Sequence, residues 1–185
     1  MNRLPLIPVD ETSDPALARI FGAARSAHGD VSDLYRTLGH APAMLEAWTA
    51  MAWPLRSEPR TPRAVRELII MRAAQLTGAA YEWGHHWPMA LAAGVPRTKL
   101  LALSTWNQDE SFTPEERAVL GYAERVLADG HVDDDVFARL AGFFDPEEIV
   151  EITLTTTFYA CVARLLLALR IELEPEYAEQ MEGWA

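Results

Sequence analysis

Apolar positions recur three and four residues apart along most of this chain, and glycine and proline punctuate the runs between them. An extended, proline-rich arm over residues 1–13 leads to Ser13-Asp14-Pro15, a cap followed by a first-turn proline, and then to an amphipathic helix over 16–27. Residues 30–40 have room for another turn or two. Pro42 opens a longer helix in which Met44, Trp48 and Met51 or Ala52 share a face, and Pro54 is expected to bend or end it. Thr61-Pro62 starts the next helix, which Gly78 closes, and a further helix over 79–93 stops at Gly94. A short helix over 96–103 follows. Thr113 and Glu116 form a capping box for a helix reaching toward Gly130, and 133–143 makes another short one. Asp145-Pro146-Glu147-Glu148 caps the last and longest helix, which runs to about Ile171.

No stretch alternates as a half-buried strand does, and the β-type composition of 153–158 lies inside a run with a proper helix start. The pattern predicts an all-α fold: one helical domain over 14–173, between the arm at 1–13 and an acidic tail at 174–185 without usable periodicity. Pro62 and Glu67-Leu68-Ile69 are echoed by Pro146 and Glu151-Ile152-Thr153 at the same spacing, consistent with a weakly duplicated helical unit.

Against this pattern three ionisable residues sit on faces that otherwise read as core. At about 100° per residue, Glu82 and His86 share one arc with Ala79, Met89, Ala90 and Ala93. Glu67 falls beside Met71 and Ala74 on the preceding helix. A carboxylate there is costly unless it is paired or stays protonated. Two readings follow: a buried Glu–His pair that fixes helix register, or an acid/base site.

Composition narrows the setting. Half of the 185 residues are hydrophobic, as in a globular chain. With 27 acidic against 16 basic residues the net charge is −11, which argues against a nucleic-acid partner, since phosphate neutralisation needs a basic surface. One cysteine, Cys161, permits no intrachain disulfide and no C-x-x-C pair, and it reads as a small buried apolar residue. The first residues show no signal peptide, and the most apolar segment, 149–169, carries Glu151 and Arg164, so it reads as a core helix and not a membrane span. A cytoplasmic protein without membrane association is expected.

The run R-E-L-I-I-M-R-A-A-Q-L-T-G-A-A-Y-E-W-G-H-H over 66–86 resembles the signature helix pair of the carboxymuconolactone decarboxylase/alkylhydroperoxidase D-like (AhpD-like) superfamily. A-G-V-P, T-P-E-E-R-A-V-L-G-Y-A-E and F-Y-A-C-V-A-R-L-L-L-A-L further on resemble its longer members, so the likeness covers about residues 34–173. It implies an AhpD-like helical fold, an active site between these helices, and homo-oligomers, usually trimers or hexamers. The peroxidase branch carries a Glu, a Cys-x-x-Cys and a His four residues later. Glu67 and His86 match that Glu and His, but Ala79 and Glu82 occupy the cysteine positions. Without a thiolate to attack and a thiol to resolve, peroxidase chemistry has no means here. The Glu/His combination is similar instead to the decarboxylase branch, which implies acid/base work on a small cyclic carboxylated substrate; no cofactor is expected.

On this reading Glu67, Glu82 and His86 are the candidate catalytic residues. Glu82 and His86, one turn apart, are placed to hydrogen-bond on one helix face, Glu82 holding the imidazole. Glu67 would supply a second carboxylate of different pKa. Tyr81, Trp83 and Trp87 would wall the pocket; His85 is a substrate contact or else a surface or interface histidine. Glu82, His85 and His86 are close enough in sequence to share a metal, but Glu-x-x-His-His is no established zinc spacing, and no metal is expected. Arg63, Arg66, Arg72, Arg97, Lys99 and Arg164 lie in or near the relevant elements as partners for a substrate carboxylate. The competing class is a non-catalytic helical oligomer or ligand-binding protein whose polar cluster is structural.

Overall fold

The computed structural model describes residues 2–184, apart from the side chain of His28; Met1 and Ala185 lie outside the described residues. Nine α-helices and two 3₁₀ turns make up the described residues, with no strand among them. They are α1 (Pro15–His28), α2 (Asp33–Leu38), α3 (Pro42–Ser57), α4 (Arg63–Thr77), α5 (Ala80–Ala92), α6 (Arg97–Leu101), α7 (Pro114–Ala128), α8 (Asp134–Ala141) and α9 (Pro146–Leu169). The 3₁₀ turns are Leu103–Thr105 and Pro175–Gln180.

α4 is the axis of the fold. Residues 65–71 are buried without interruption because α5, α7 and α9 cover it on different sides. One core lies between α1, α2, α3 and α9, including Ile20, Phe21, Leu45 and Tyr159; a second lies under α5, where Trp83 and Trp87 meet Leu100, Leu103 and Leu120. A third, around Ile69, Leu140 and Ile152, joins α4 to α7, α8 and α9.

Local chemistry explains the boundaries. Thr113 and Asp145 each form a capping box, with Glu116 and Glu148 returning to the cap backbone. The threonine run stays helical because Thr153, Thr156 and Thr157 donate their hydroxyls to the carbonyls of Ile149, Ile152 and Thr153, four residues back. α9 meets the length and composition of a membrane span, yet half of its most apolar window is buried within this fold.

Pro54 neither ends α3 nor displaces its last turn: the helix continues to Ser57. The extra turn is held from outside. Arg66 donates to the carbonyls of Leu55 and Arg56, and Arg63 donates to that of Arg56, so two side chains of α4 satisfy the last carbonyls of α3. This turn carries Arg56 inward.

The two termini pack against the helical body. Arg3 bonds Leu169 and Ala168 at the end of α9, while Ile7 exchanges hydrogen bonds with Arg36 of α2. The acidic tail folds over α5. Leu173 lies where a Cβ on Gly84 would come within 2.8 Å of it, so the bare glycine gives the tail its close approach. Trp83 Nε1 donates to the Glu182 carbonyl at 3.1 Å, and Arg97 pairs with the Glu182 carboxylate.

Candidate active site

The site begins at the turn between α4 and α5. Gly78 takes φ +73°, a left-handed conformation that costs a side chain-bearing residue, and it reverses the chain so that α5 lies back along α4. Glu67 and His86 then face each other. His86 Nδ1 lies 2.9 Å from Glu67 Oε2, and Arg63, one turn earlier on α4, forms an ion pair with Oε1 of the same carboxylate. Glu67 is fully buried and His86 nearly so.

The electrostatics of this trio follow from its neighbours. Burial alone would raise the Glu67 pKa, but His86 and Arg63 outweigh it and hold the carboxyl below its usual range. Burial pushes the His86 pKa down, more than Glu67 restores it. The charge therefore rests on the Glu67–Arg63 pair and the imidazole stays neutral. Its Nδ1–H donates to Glu67, and Nε2 is left as an unprotonated nitrogen facing a cavity.

That cavity has a volume of about 500 Å³, within the range of small-molecule sites. His86, Glu82, Arg56, Tyr159, Tyr81 and Met89 are among its walls. Glu67 is not; it stands behind His86 and acts on the cavity through the imidazole.

Glu82 corrects the expected pairing. It shares the cavity with His86, but neither of its oxygens makes a hydrogen bond among the described residues, although the residue is 2 % exposed. The imidazole has turned to Glu67 because a carboxylate already charged by Arg63 is the stronger acceptor. Burial raises the Glu82 pKa well above the usual carboxyl range, against a smaller opposing effect of Arg56. Burial without a partner favours the neutral form of this acid.

Opposite α5, the guanidinium of Arg56 stands beside the phenol of Tyr159, whose ring meets His86 edge-on at 5.0 Å. Arg56 Nε and Tyr159 Oη are buried, and neither has a hydrogen-bond partner of normal geometry. Neither residue was singled out from the sequence. The signal for Arg56 was masked by Pro54, which suggested that the helix had ended.

At the mouth, Glu174 of the tail accepts from Tyr81 Oη at 2.7 Å and from the Asp33 backbone N–H at 2.8 Å. It also lies 2.7 Å from His85 Nε2. His85 is stacked between Tyr81 at 4.4 Å and Tyr177 at 4.0 Å. Tyr81 and His85 thus line the cavity, but engaged in a closure made by the tail.

Other expected contacts lie elsewhere. Trp83 and Trp87 face the core beneath α5, with no exposed surface at Trp83, so neither walls the cavity. The reason is geometric: residues 83 and 87 lie on the arc of α5 adjacent to that of 82 and 86, turned toward α6 and α7. Cys161 is exposed on the outer side of α9 and not buried. Of the cations expected to meet a carboxylate, Arg63 is on Glu67, Arg66 on backbone carbonyls, Arg72 on Glu124, Arg97 on Glu182 and Lys99 on Glu116. Arg164 bonds the Ala160 carbonyl, and Glu151 accepts from Arg60 and Thr61 ahead of α4. Among the described residues no group of three or more His, Cys, Asp or Glu converges as metal ligands would.

The sequence model of the carboxymuconolactone decarboxylase family matches residues 42–125, the segment that supplies α3, α4 and α5. This match supports the carboxymuconolactone decarboxylase/AhpD-like superfamily for this chain. The chain is 30% identical over 94 residues to the uncharacterized protein YdfG of Bacillus subtilis, a match covering 50% of this chain and 64% of that one, so just under two thirds of the relative is spanned. The fold is shared with an AhpD core protein of Ralstonia eutropha, peroxidase-related and uncharacterized, at TM-score 0.83 and 19% identity over 100% of this chain and 97% of the other. It is also shared with the debrominase Bmp8, crystallised as a variant with 2,3,4-tribromopyrrole, at TM-score 0.82 and 20% identity over 97% and 96%.

Proposed function

We propose that this protein is a decarboxylase-like enzyme that moves protons at carbon on a small cyclic carboxylated substrate. The observation that carries the reading is two buried groups on one cavity, Glu82 without a hydrogen-bond partner and His86 oriented by Glu67, with burial pushing the acid's pKa up and the imidazole's down. In a decarboxylation the C–C bond to the carboxylate breaks, carbon dioxide leaves, and the electron pair passes into the conjugated system. Glu82 then gives its proton to carbon and is reprotonated from solvent. In an isomerisation His86 Nε2 removes a proton from one carbon and Glu82 delivers one at another. Glu82 is the proton donor in both, His86 is the base that isomerisation adds, and Glu67 serves as a positioning residue that fixes the imidazole tautomer.

Thiol peroxidase chemistry is not part of this reading. The chain's one cysteine lies on the outer side of α9, and the cavity is lined without a thiol. The debrominase likeness concerns the fold at 20% identity, and the brominated pyrrole belongs to that protein.

The test is turnover in deuterated water on a panel of small cyclic carboxylates, including γ-lactone carboxylates, with product deuterium read by mass spectrometry. Wild type should place solvent deuterium at one carbon. Glu82→Gln and His86→Gln should each lower the rate by roughly 10²–10⁴ while the protein stays folded. No turnover in wild type, together with a large loss of stability in both variants, would favour a structural cluster instead.

A further inference from the structure

The acid/base reading leaves unassigned the most conspicuous unmet need in the cavity wall. Arg56 carries a permanent charge, yet its guanidinium makes no hydrogen bond or ion pair to a carboxylate among the described residues. Its backbone is fixed where α3 ends, because Arg63 and Arg66 hold its carbonyl and Arg66 that of Leu55. Tyr159 beside it is 3 % exposed, with its ring packed edge-on to His86 and a buried hydroxyl whose polar neighbour is the Arg56 guanidinium. Glu82, across the same cavity, has both oxygens unpartnered. Polar side chains from α3, α5 and α9 thus surround one space, with Arg56 lacking an ion pair, its Nε unpartnered, and Glu82 lacking any hydrogen bond. Buried polar groups seldom stay so unless a ligand completes them.

We infer that Arg56 and Tyr159 form an anion subsite that receives a carboxylate of the substrate, with the reacting carbon held between Glu82 and His86. A planar guanidinium offering parallel N–H donors beside a phenolic O–H matches a carboxylate. It suits neither a neutral ring nor a cation. The other cations near the cavity are spoken for: Arg63 by Glu67, and Arg36 by Asp33 and the Ile7 carbonyl. The substrate class of the proposed reaction thereby becomes an organic anion whose charge is fixed at one end, next to Tyr159 and His86. This rests on the same cavity as the acid/base reading, but it is separable from it: a binding measurement needs no turnover.

The experiment uses benzoate and its uncharged analogue benzamide as probes, titrated into the full-length protein and followed by calorimetry and by melting temperature. Benzoate should bind saturably and at least tenfold more tightly than benzamide. Arg56→Met should erase that preference, and Tyr159→Phe should reduce it severalfold. His86→Gln should keep it, which separates failure of the subsite from failure of the catalytic reading. Without probe, Arg56→Met should melt at or above wild type, because it removes a buried charge that has no ion-pair partner; a merely structural arginine would lower the melting temperature. No saturable benzoate binding, equal affinity for both probes, or a preference that survives in folded Arg56→Met would overturn the subsite.

Discussion

Glu67 Oε2 holds His86 Nδ1 at 2.9 Å across the gap between α4 and α5, while Arg63 holds the other oxygen of the same carboxylate. One buried residue therefore has two tasks, tying the helices together and setting the imidazole tautomer.

Removing that carboxylate should be felt in both. Glu67→Ala leaves Arg63 without its acid and His86 Nδ1 without an acceptor in a fully buried position. A loss of about 3 kcal/mol is expected, in line with breaking one side of a buried pair, read from urea unfolding. Glu67→Gln, which keeps an oxygen acceptor, should lose less stability but still lower kcat, because the amide draws the imidazole proton to Nδ1 less strongly. A kcat unchanged in Glu67→Gln would remove Glu67 from the mechanism.

The pH dependence of stability should carry the signature of Glu82. Its folded pKa is raised well above the ordinary carboxyl value of 4.5. Its contribution is therefore fully present below 4.5 and is lost as pH rises through the folded value. Glu67 and Glu174 are shifted the other way, so their contributions are present above 4.5 and lost as pH falls through their lowered folded values. His86 acts in the same sense from 6.5 downward. In Glu82→Gln the decline on the alkaline side should flatten and the acid side should stay as it is. Chemical denaturation at a series of pH values distinguishes the two limbs.

The tail closure rests on Glu174. Burial works against its charge, and the His85 partner, the Asp33 N–H and the Tyr81 hydroxyl together hold its pKa down. Glu174→Ala should cost about 1–3 kcal/mol and should raise amide exchange across 174–184 before any loss of protection in α4. Equal protection of the tail in the variant would show that the contacts of Trp83 and Arg97 with Glu182 suffice to hold it.

Cys161 offers a contrasting null result. It is exposed and remote from the cavity. Cys161→Ser should leave turnover unchanged and stability within about 0.5 kcal/mol, and the native thiol should be alkylated without denaturant. Abolished peroxide consumption in this variant would reinstate thiol chemistry.

How much of this was readable in the chain varies by element. Caps and breakers act locally, so Thr113/Glu116, Asp145/Glu148 and Gly78 placed their helix ends well. Periodicity brought Glu82 and His86 to one inward face, and both line the cavity. The partner of His86 was not legible, because i, i+4 spacing shows what is reachable on one helix and not which acceptor a neighbouring helix offers. The same limit hid Arg56. Proline at 54 is a local stop signal, and it was overridden by two arginines of α4 that satisfy the turn beyond it. Glu174 and Tyr177 were invisible for a related reason: a tail without periodicity gives no sign that it folds over α5, and only the bare Gly84 beneath Leu173 hints at the contact. Trp83 and Trp87 erred by one step around the helix, toward the core and away from the cavity.

The account depends most on Glu82 being a neutral acid at neutral pH while His86 beside it is a neutral base. Infrared difference spectroscopy of wild type against Glu82→Gln, across a titration in deuterated water, reads that state without any substrate. The prediction is a carbonyl stretch of a protonated carboxylic acid at pH 7 that the variant lacks and that fades only as pH is raised. An ionised carboxylate signal at pH 7, assigned to Glu82 by its loss in the variant, would contradict it.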